Sequence, residues 1–324
     1  MEADRALTGP DEPVPAELVH ESGRTRVTRL TVPGGTAIRK EPLGPDGARR
    51  LRHEAAMLRR LRGVPGVAQL AEAPLYPGSV VLADAGGVSL AGAAKPLTAD
   101  ELARLAVALG RAVAAMHRRG VMHRDITPAN IVLSGDSRPC LVDFARATQV
   151  AEIRPEFTHP SEIGGTLAYL APEATGRTGR PADQRADLYA LGAVLYELAT
   201  GDPPFGTGDP LRLIHDHLAR VPVPPAEVNP ALPAPLSEII LHLLEKEPDN
   251  RYQTADGLVH DLERWRAALA HPAVFRAGEH DFPVRLLPPS RLAGRDDEVA
   301  ALAVAFTGAL TGQCHGCWWP ARPG

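Results

Sequence analysis

Apolar and polar residues alternate with a period of two over the first part of the chain. Gly and Pro residues separate the runs, which is typical of half-buried strands joined by tight turns. The runs are LVHES (18–22), TRVTRL (25–30) and TAIRKEPL (36–43), and an apolar run of strand length, SVVLADAGG (79–87), comes later. A helical period appears between them in ARRLRHEAAMLRRLRG (48–63). The pattern predicts a small antiparallel sheet with one helix.

The rest of the chain has mainly a helical pattern. Thr98 and Glu101 form a capping-box pattern before an apolar stripe that continues to Met116. Two short apolar runs, 130–133 and 140–142, flank a turn-rich stretch and predict a hairpin. Three later segments predict helices: DLYALGAVLYELATG (187–201), apolar nearly all round, and the amphipathic IILHLLEKEP (239–248) and LVHDLERWRAALA (258–270). A β-rich lobe followed by an α-rich lobe predicts an α+β fold with a ligand cleft between the lobes.

Composition narrows the class of protein. The chain has 324 residues, 44% of them hydrophobic, and a formal net charge of -4. Basic and acidic residues are interspersed, so neither nucleic acid nor an anionic membrane is expected as the main partner. No apolar run approaches the roughly 18 residues that span a bilayer, and the N-terminus lacks a signal-peptide pattern. We therefore expect a cytoplasmic protein.

The sequence pattern also predicts where the domain begins and ends. Residues 1–15 form a flexible, Pro-rich arm, 16–270 the two-lobed domain (16–85 and 86–270), and 271–290 a Pro-containing linker. The last segment, 291–324, has an anomalous tail that holds Cys314 and Cys317. No second ligand pair follows these cysteines at the spacing that zinc requires, so a metal site is not expected there.

Polar residues that suit phosphoryl transfer lie close together in MHRDITPAN (122–130) and in LVDFA (141–145). Asp125 can orient an attacking hydroxyl, and Asn130 and Asp143 supply the oxygen ligands that Mg²⁺ prefers. Lys40, at the end of a predicted strand, can reach phosphates, and Glu54 on the next helix can fix it as an ion pair. The pattern predicts a site for ATP and Mg²⁺.

These motifs resemble those of bacterial protein kinases of the eukaryotic Ser/Thr type. AIRK (37–40) is similar to the VAIK strand, HRDITPAN to HRDxxxxN, DFA to DFG, and APE is present at 171–173. The resemblance runs from about residue 18 to about residue 269. Asp187 resembles the buried aspartate that braces the catalytic loop, and Arg251 resembles the arginine that pairs with the glutamate of APE, here Glu173. The resemblance to this kinase family implies a two-lobed kinase fold and a protein substrate with Ser or Thr.

The resemblance also implies roles for particular residues. The catalytic set would be Asp125, Lys40, Glu54 and Arg124, with Asn130 and Asp143 as metal ligands. The hinge that reads adenine would be Ala83 to Ala85. The nucleotide would contact Val19, Val27, Lys40, Leu82, Ala83, Ala85 and Val132. Autophosphorylation would fall on Thr148, Thr158, Ser161 or Thr166, where Arg124 could receive the phosphate.

Three departures from the family pattern bear on activity. His20, Ser22 and Thr25 stand at the glycine positions of the phosphate loop, so we expect a looser or differently shaped cradle. Ala145 replaces the glycine of DFG and costs little only if its φ is negative. Thr127 replaces a lysine that contacts the γ-phosphate in many kinases of this type, and losing such a donor can cost about a hundredfold in rate.

Two alternatives remain open. A pseudokinase would bind nucleotide or a partner and regulate other modules without phosphoryl transfer. A small-molecule phosphotransferase shares the Asp-to-Asn loop but does not need APE, Thr166 or Arg251. RLAGRDDEVAALAVAF (291–306) resembles the start of an AAA-type ATPase domain. Such a domain follows the kinase module in large bacterial signalling proteins that also contain sensor and histidine-kinase modules. The phosphate-binding loop of an ATPase domain does not follow in this sequence. We predict a truncated ATPase start there.

Overall fold

The computed structural model describes residues 16–71, 76, 78–149, 164–268, 275–282, 300 and 304. The chain divides into two units, residues 1–282 and 283–324, and the first unit contains every element described below. The predicted arm and most of the final segment lie outside the described residues. Among the described residues, no helix combines the length and apolar character that crossing a bilayer requires.

The first lobe is built on a four-stranded antiparallel sheet in the order β1-β2-β3-β4. Its strands are β1 (Ala16–Glu21), β2 (Thr25–Val32), β3 (Gly35–Pro42) and β4 (Val80–Ala83). Helix α1 (Gly47–Arg60) lies between β3 and β4 in the chain and buries Leu51, Glu54 and Leu58. The predicted sheet with one helix is confirmed: β2, β3 and β4 bury Leu30, Ala37 and Leu82, whereas β1 is exposed along its whole length.

The second lobe is mainly helical. Its helices are α2 (Ala99–Arg118), α3 (Gln184–Thr200), α4 (Pro210–Ala219), α5 (Pro225–Val228), α6 (Ala234–Leu243) and α7 (Ala255–Ala268). The capping box at Thr98 and Glu101 is present at the start of α2. Helix α3 is buried along nearly its whole length, and Gly201 ends it in the left-handed conformation. At Gly192 a Cβ atom would lie 2.6 Å from the Cβ of Leu243, so glycine lets α3 approach α6.

Short strands at the junction of the lobes position the predicted loops. β5 (Gly87–Ser89), β7 (Ile131–Ser134) and β8 (Pro139–Leu141) form one antiparallel sheet, and β6 (Val121–Met122) pairs with β9 (Thr148–Gln149). The predicted hairpin is therefore β7–β8. The Leu141 backbone connects the lobes, donating to the Gly66 carbonyl and accepting from the Ala68 N–H at 2.9 Å each.

Residues 275–282, within the segment predicted as a linker, pack against α7. The Asp281 carboxylate accepts hydrogen bonds from the backbone N–H groups of Gln253 and Thr254 and from the Thr254 hydroxyl. Thr254 in turn accepts from the Gly257 N–H at 2.9 Å and so caps α7. These bonds tie residues 275–282 to the helical lobe.

Candidate active site

Lys40 joins the two lobes at the centre of the candidate site. It lies on β3, opposite Val27, and its Nζ is 2.6 Å from Glu54 Oε1 on α1 and 3.0 Å from Asp143 Oδ1. The Lys40 side chain is 9% exposed and that of Glu54 is 1% exposed. Burial disfavours the charge on Lys40, but the carboxylates of Glu54 and Asp143 outweigh it and raise the pKa of Lys40. Lys40 is therefore a fixed cation next to the predicted metal ligand.

Asp143 follows β8 and has the left-handed backbone conformation, with φ of 65° and ψ of 75°. The next residues, Phe144–Arg146, form a turn of 3₁₀ helix, and the Phe144 N–H donates to Glu54 Oε1 at 3.2 Å. The Asp143 carboxylate is 45% exposed. Partial burial opposes its charge, yet the Lys40 ammonium holds the pKa of Asp143 below its ordinary value. The carboxylate is thus anionic and accessible to a cation.

Asp125 and Asn130 face each other across the loop that connects β6 to β7. Asn130 Nδ2 donates to the Asp125 carbonyl at 2.9 Å and to Asp125 Oδ2 at 3.1 Å. The other carboxylate oxygen, Oδ1, is buried and accepts no hydrogen bond from any described residue. The Asn130 carbonyl accepts from the Val142 N–H at 2.9 Å, which places Asn130 beside the strand that leads to Asp143.

Asp187 at the start of α3 braces this loop from below. Its carboxylate accepts from the backbone N–H of His123 at 2.9 Å and of Arg124 at 2.8 Å, and it contacts His117 Nε2 at 2.9 Å. Arg124 adopts a positive φ of 63°, a conformation that costs energy for a side chain with a Cβ atom. Burial opposes ionisation of Asp187, but these hydrogen bonds outweigh it and hold its pKa below the ordinary value.

The ring of His123 supports the other side of the loop. His123 is buried, its Nε2 donates to the Val142 carbonyl at 3.1 Å, and its ring centroid is 4.6 Å from that of Phe144. Phe144 is fully buried. The two rings, tilted by 60° to each other, connect the loop of Asp125 to the turn of Asp143.

A buried ion pair fixes the segment that follows the site. The two terminal guanidinium nitrogens of Arg251, Nη1 and Nη2, contact the Glu173 carboxylate at 2.6 and 2.7 Å, and both side chains are essentially without exposure. The predicted contact between these two residues is present.

A cavity of about 340 Å³ opens beside Asp125 and is bordered by Arg124, Tyr169 and Ala186.

The structure places the predicted nucleotide contacts on both lobes. Val19 is 48% exposed on β1, Val27 lies on β2, and Leu82 is buried on β4 opposite Ile38. Ala83 ends β4, Ala85 follows it, and Val132 lies on β7 opposite Ser89. Of the candidate phosphorylation sites, Thr148 lies on β9; Thr158, Ser161 and the side chain of Thr166 are outside the described residues.

The turn between β1 and β2 is closed by hydrogen bonds of Ser22, although it lacks most of the glycines of the family pattern. The Ser22 hydroxyl accepts from the Thr25 N–H at 3.1 Å, and the Ser22 N–H donates to the Thr25 carbonyl at 3.0 Å. The Arg24 carbonyl accepts from the Leu43 N–H at 2.9 Å, beyond the end of β3. A serine side chain therefore closes this turn, and the backbone anchors it to the sheet.

Sequence reasoning missed two polar contacts near the cleft. Asp84, in the predicted hinge, accepts from Arg29 Nε at 2.7 Å and from the Gly86 N–H at 2.8 Å, which closes a turn. The Asp-Ala-Gly-Gly sequence was a possible signal for that turn. His53 on α1 contacts the Ala147 carbonyl at 2.6 Å, and no local sequence signal indicates this.

Of the three departures, the structure resolves one. The described residues other than glycine that have a positive φ are Arg124, Ser137 and Asp143, so Ala145 does not need the left-handed conformation. Alanine in place of glycine therefore costs little at this position. Thr127 is buried and precedes the 3₁₀ turn Pro128–Asn130.

Comparison with known proteins agrees with this geometry. Residues 37–262 match the protein kinase domain. Serine/threonine-protein kinase PknB of Mycobacterium tuberculosis is 39% identical over 148 residues, which are 46% of this chain and 23% of the relative. The probable serine/threonine-protein kinase CE0033 of Corynebacterium efficiens is 33% identical over 202 residues, 61% of this chain and 30% of the relative.

The chain belongs to the protein kinase domain family. Its two-lobed fold and its similarity to bacterial Ser/Thr kinases of the eukaryotic type are confirmed. It matches between about a quarter and a third of the length of these curated relatives.

Proposed function

We propose that this domain is a protein serine/threonine kinase of bacterial signalling that transfers the γ-phosphoryl group of ATP to Ser or Thr hydroxyls. The main support is that the Lys40 ammonium forms salt bridges with both Glu54 and Asp143. Transfer of a phosphoryl group depends on positioning and on charge stabilisation, and a fixed cation beside an accessible carboxylate supplies both. The names of the bacterial relatives support the assignment to Ser/Thr kinases.

The residues at the site fit Mg²⁺. The described residues contain no cluster of three or more His, Cys, Asp or Glu side chains that could hold a metal ion by protein ligands alone. Asp143 and Asn130 supply the two oxygen donors that Mg²⁺ commonly takes from a protein when phosphates and water complete its shell. When bound, Mg²⁺ neutralises charge on the phosphates.

Asp125 then has the role of orienting the substrate hydroxyl and accepting its proton. Its Oδ2 is held by Asn130, whereas Oδ1 is buried and has no partner among the described residues. A buried carboxylate oxygen without a partner is costly, and a hydroxyl that donates to it relieves that cost. Lys40 pairs with the phosphates and Glu54 holds Lys40 in place.

Regulation is proposed to involve the segment after Asp143. Thr148, Thr158, Ser161 and Thr166 are the candidate autophosphorylation sites, and Arg124 is the proposed receiver of the phosphate. The nucleotide is proposed to lie between Val19, Val27 and Leu82 on one side and Val132 on the other, with Ala83 and Ala85 at the adenine. The proposal places the domain in the cytoplasm, where ATP and protein substrates are available.

The experiment is transfer of labelled γ-phosphate from ATP with Mg²⁺ to the chain itself and to a generic basic protein. We expect incorporation on Ser or Thr that an Asp143→Asn variant lacks. Incorporation no greater than in that variant would refute the proposal. Label found on a small molecule and not on protein would favour the phosphotransferase alternative.

A pseudokinase is the second candidate, and the Ser22 turn and buried Thr127 favour it. Both positions lack the groups that contact phosphates in many kinases, which weakens stabilisation of the transferring group. Such a protein would gain thermal stability from ATP with Mg²⁺, because a ligand that binds only the folded state stabilises it. Stabilisation without any transfer of label would establish this candidate.

A further inference from the structure

Two adjacent residues of α1, His53 and Glu54, contact opposite ends of the turn that carries Asp143. Glu54 Oε1 accepts from the Phe144 N–H at 3.2 Å, at the start of the turn. His53 Nε2 lies 2.6 Å from the Ala147 carbonyl, at its end. A carbonyl oxygen can only accept, so the Nε2 atom carries the hydrogen and donates.

The turn itself is short and buried. The Ala147 N–H donates to the Phe144 carbonyl at 3.1 Å, and Phe144 and Ala147 have no exposed surface. Thr148 follows at once and pairs with Met122 in the β6–β9 ladder, directly before the loop of Asp125. A displacement of Ala147 would therefore be transmitted both to Asp143 and to the strand beside the loop.

We propose, on the basis of the proposed function, that His53 is a positioning residue for phosphoryl transfer. Its hydrogen bond to Ala147 holds the turn against α1, so that one lysine, Lys40, can contact Glu54 and Asp143 at the same time. Glu54 alone fixes only the first residue of the turn. His53 fixes the other end and thereby holds the Asp143 carboxylate in its position beside Lys40.

The test compares His53→Gln, which keeps an N–H donor of similar reach, with His53→Leu, which fills similar volume without a donor. His215→Leu is the matched control, because the His215 side chain is 75% exposed on α4. The readouts are the rate of phosphoryl transfer, the Mg²⁺ concentration for half-maximal rate, and the melting temperature.

We expect His53→Leu to raise the half-maximal Mg²⁺ concentration and lower kcat/KM about three- to tenfold, the size of one net hydrogen bond. His53→Gln should lie within about twofold of the unmodified chain, and His215→Leu should match it. The melting temperatures should stay close together, because only one bond is lost. A purely structural role would lower the melting temperature without changing the Mg²⁺ dependence.

A second measurement does not require activity. The Phe144 amide is held by Glu54 across the same turn, so its hydrogen exchange should speed up in His53→Leu and stay slow in His53→Gln. Unchanged exchange and unchanged Mg²⁺ dependence in His53→Leu would overturn the inference, as would equal defects in the Gln and Leu variants. Absence of transfer in the unmodified chain would refute the proposed kinase activity; the exchange experiment would then decide the role of His53 by itself.

Discussion

Loss of the Arg251 guanidinium should destabilise the helical lobe strongly. Arg251 contacts both oxygens of Glu173 and also donates to the carbonyls of Glu245 at 2.5 Å, Lys246 at 2.8 Å and Arg185 at 3.2 Å. Arg251→Met leaves the 1% exposed Glu173 side chain without its cation and the carbonyls without their donor. Breaking one side of a buried ion pair typically costs about 3–5 kcal/mol.

The matched control is Arg118→Met. Arg118 also contacts both oxygens of a carboxylate, that of Asp256, at 2.7 and 2.9 Å, but the two side chains are 60% and 61% exposed. Exposed pairs of this kind contribute less than about 1 kcal/mol, because water and salt screen them. Each substitution thus removes an arginine that contacts both oxygens of one carboxylate, although Arg118 uses Nη1 alone, and the two pairs differ chiefly in burial.

Urea unfolding followed by far-UV circular dichroism measures both variants. Adding Glu173→Gln to Arg251→Met should recover part of the lost free energy of unfolding, because the unpaired charge is removed together with its partner. A loss from Arg251→Met that equals the loss from Arg118→Met would refute the reasoning.

Three further predictions concern other parts of the domain. Burial, and after it the nearby Lys246, lowers the pKa of His217 to about 3, so below pH 6.5 the unfolded chain binds a proton that the folded chain does not. The free energy of unfolding should therefore fall by about 2 kcal/mol more in the unmodified chain than in His217→Gln between pH 7.5 and pH 5, and equal losses would contradict this. Ala145→Gly should lower the free energy of unfolding by about 0.5–1 kcal/mol and the melting temperature slightly. A higher melting temperature would show that Ala145 is strained. Asp281→Ala should cost about 1–2 kcal/mol in urea unfolding, more than the exposed Asp256→Ala, and equal costs would mean that residues 275–282 do not stabilise α7.

Helices and residue pairs could be predicted from the sequence where they depend on a local pattern or on the chemistry of phosphate binding. The capping box of Thr98 and Glu101 needs only residues three apart, and α3 needs only a run that is apolar on all sides. The pairing of Lys40 with Glu54 was predictable because a cation that binds phosphate needs a fixed position, and few side chains can supply it.

Other features depend on contacts between residues far apart in the chain, which no local pattern encodes. The contact between His53 and Ala147 spans 94 residues, and Ala147 directly precedes β9, which pairs with β6. The positive φ of Asp143 likewise reflects tertiary contacts with Lys40, since aspartate alone does not require it. The glycine count predicts a looser or differently shaped phosphate loop, and it does not show that the Ser22 hydroxyl closes the turn.

The rate of phosphoryl transfer by an Asp125→Asn variant at saturating ATP and Mg²⁺ measures whether Asp125 accepts the hydroxyl proton. Asparagine keeps the shape of the side chain and its place beside Asn130 but cannot accept the hydroxyl proton. We expect the rate to fall by about 10²- to 10⁴-fold while the variant still gains thermal stability from ATP with Mg²⁺. Transfer at the rate of the unmodified chain would show that Asp125 is not the catalytic base.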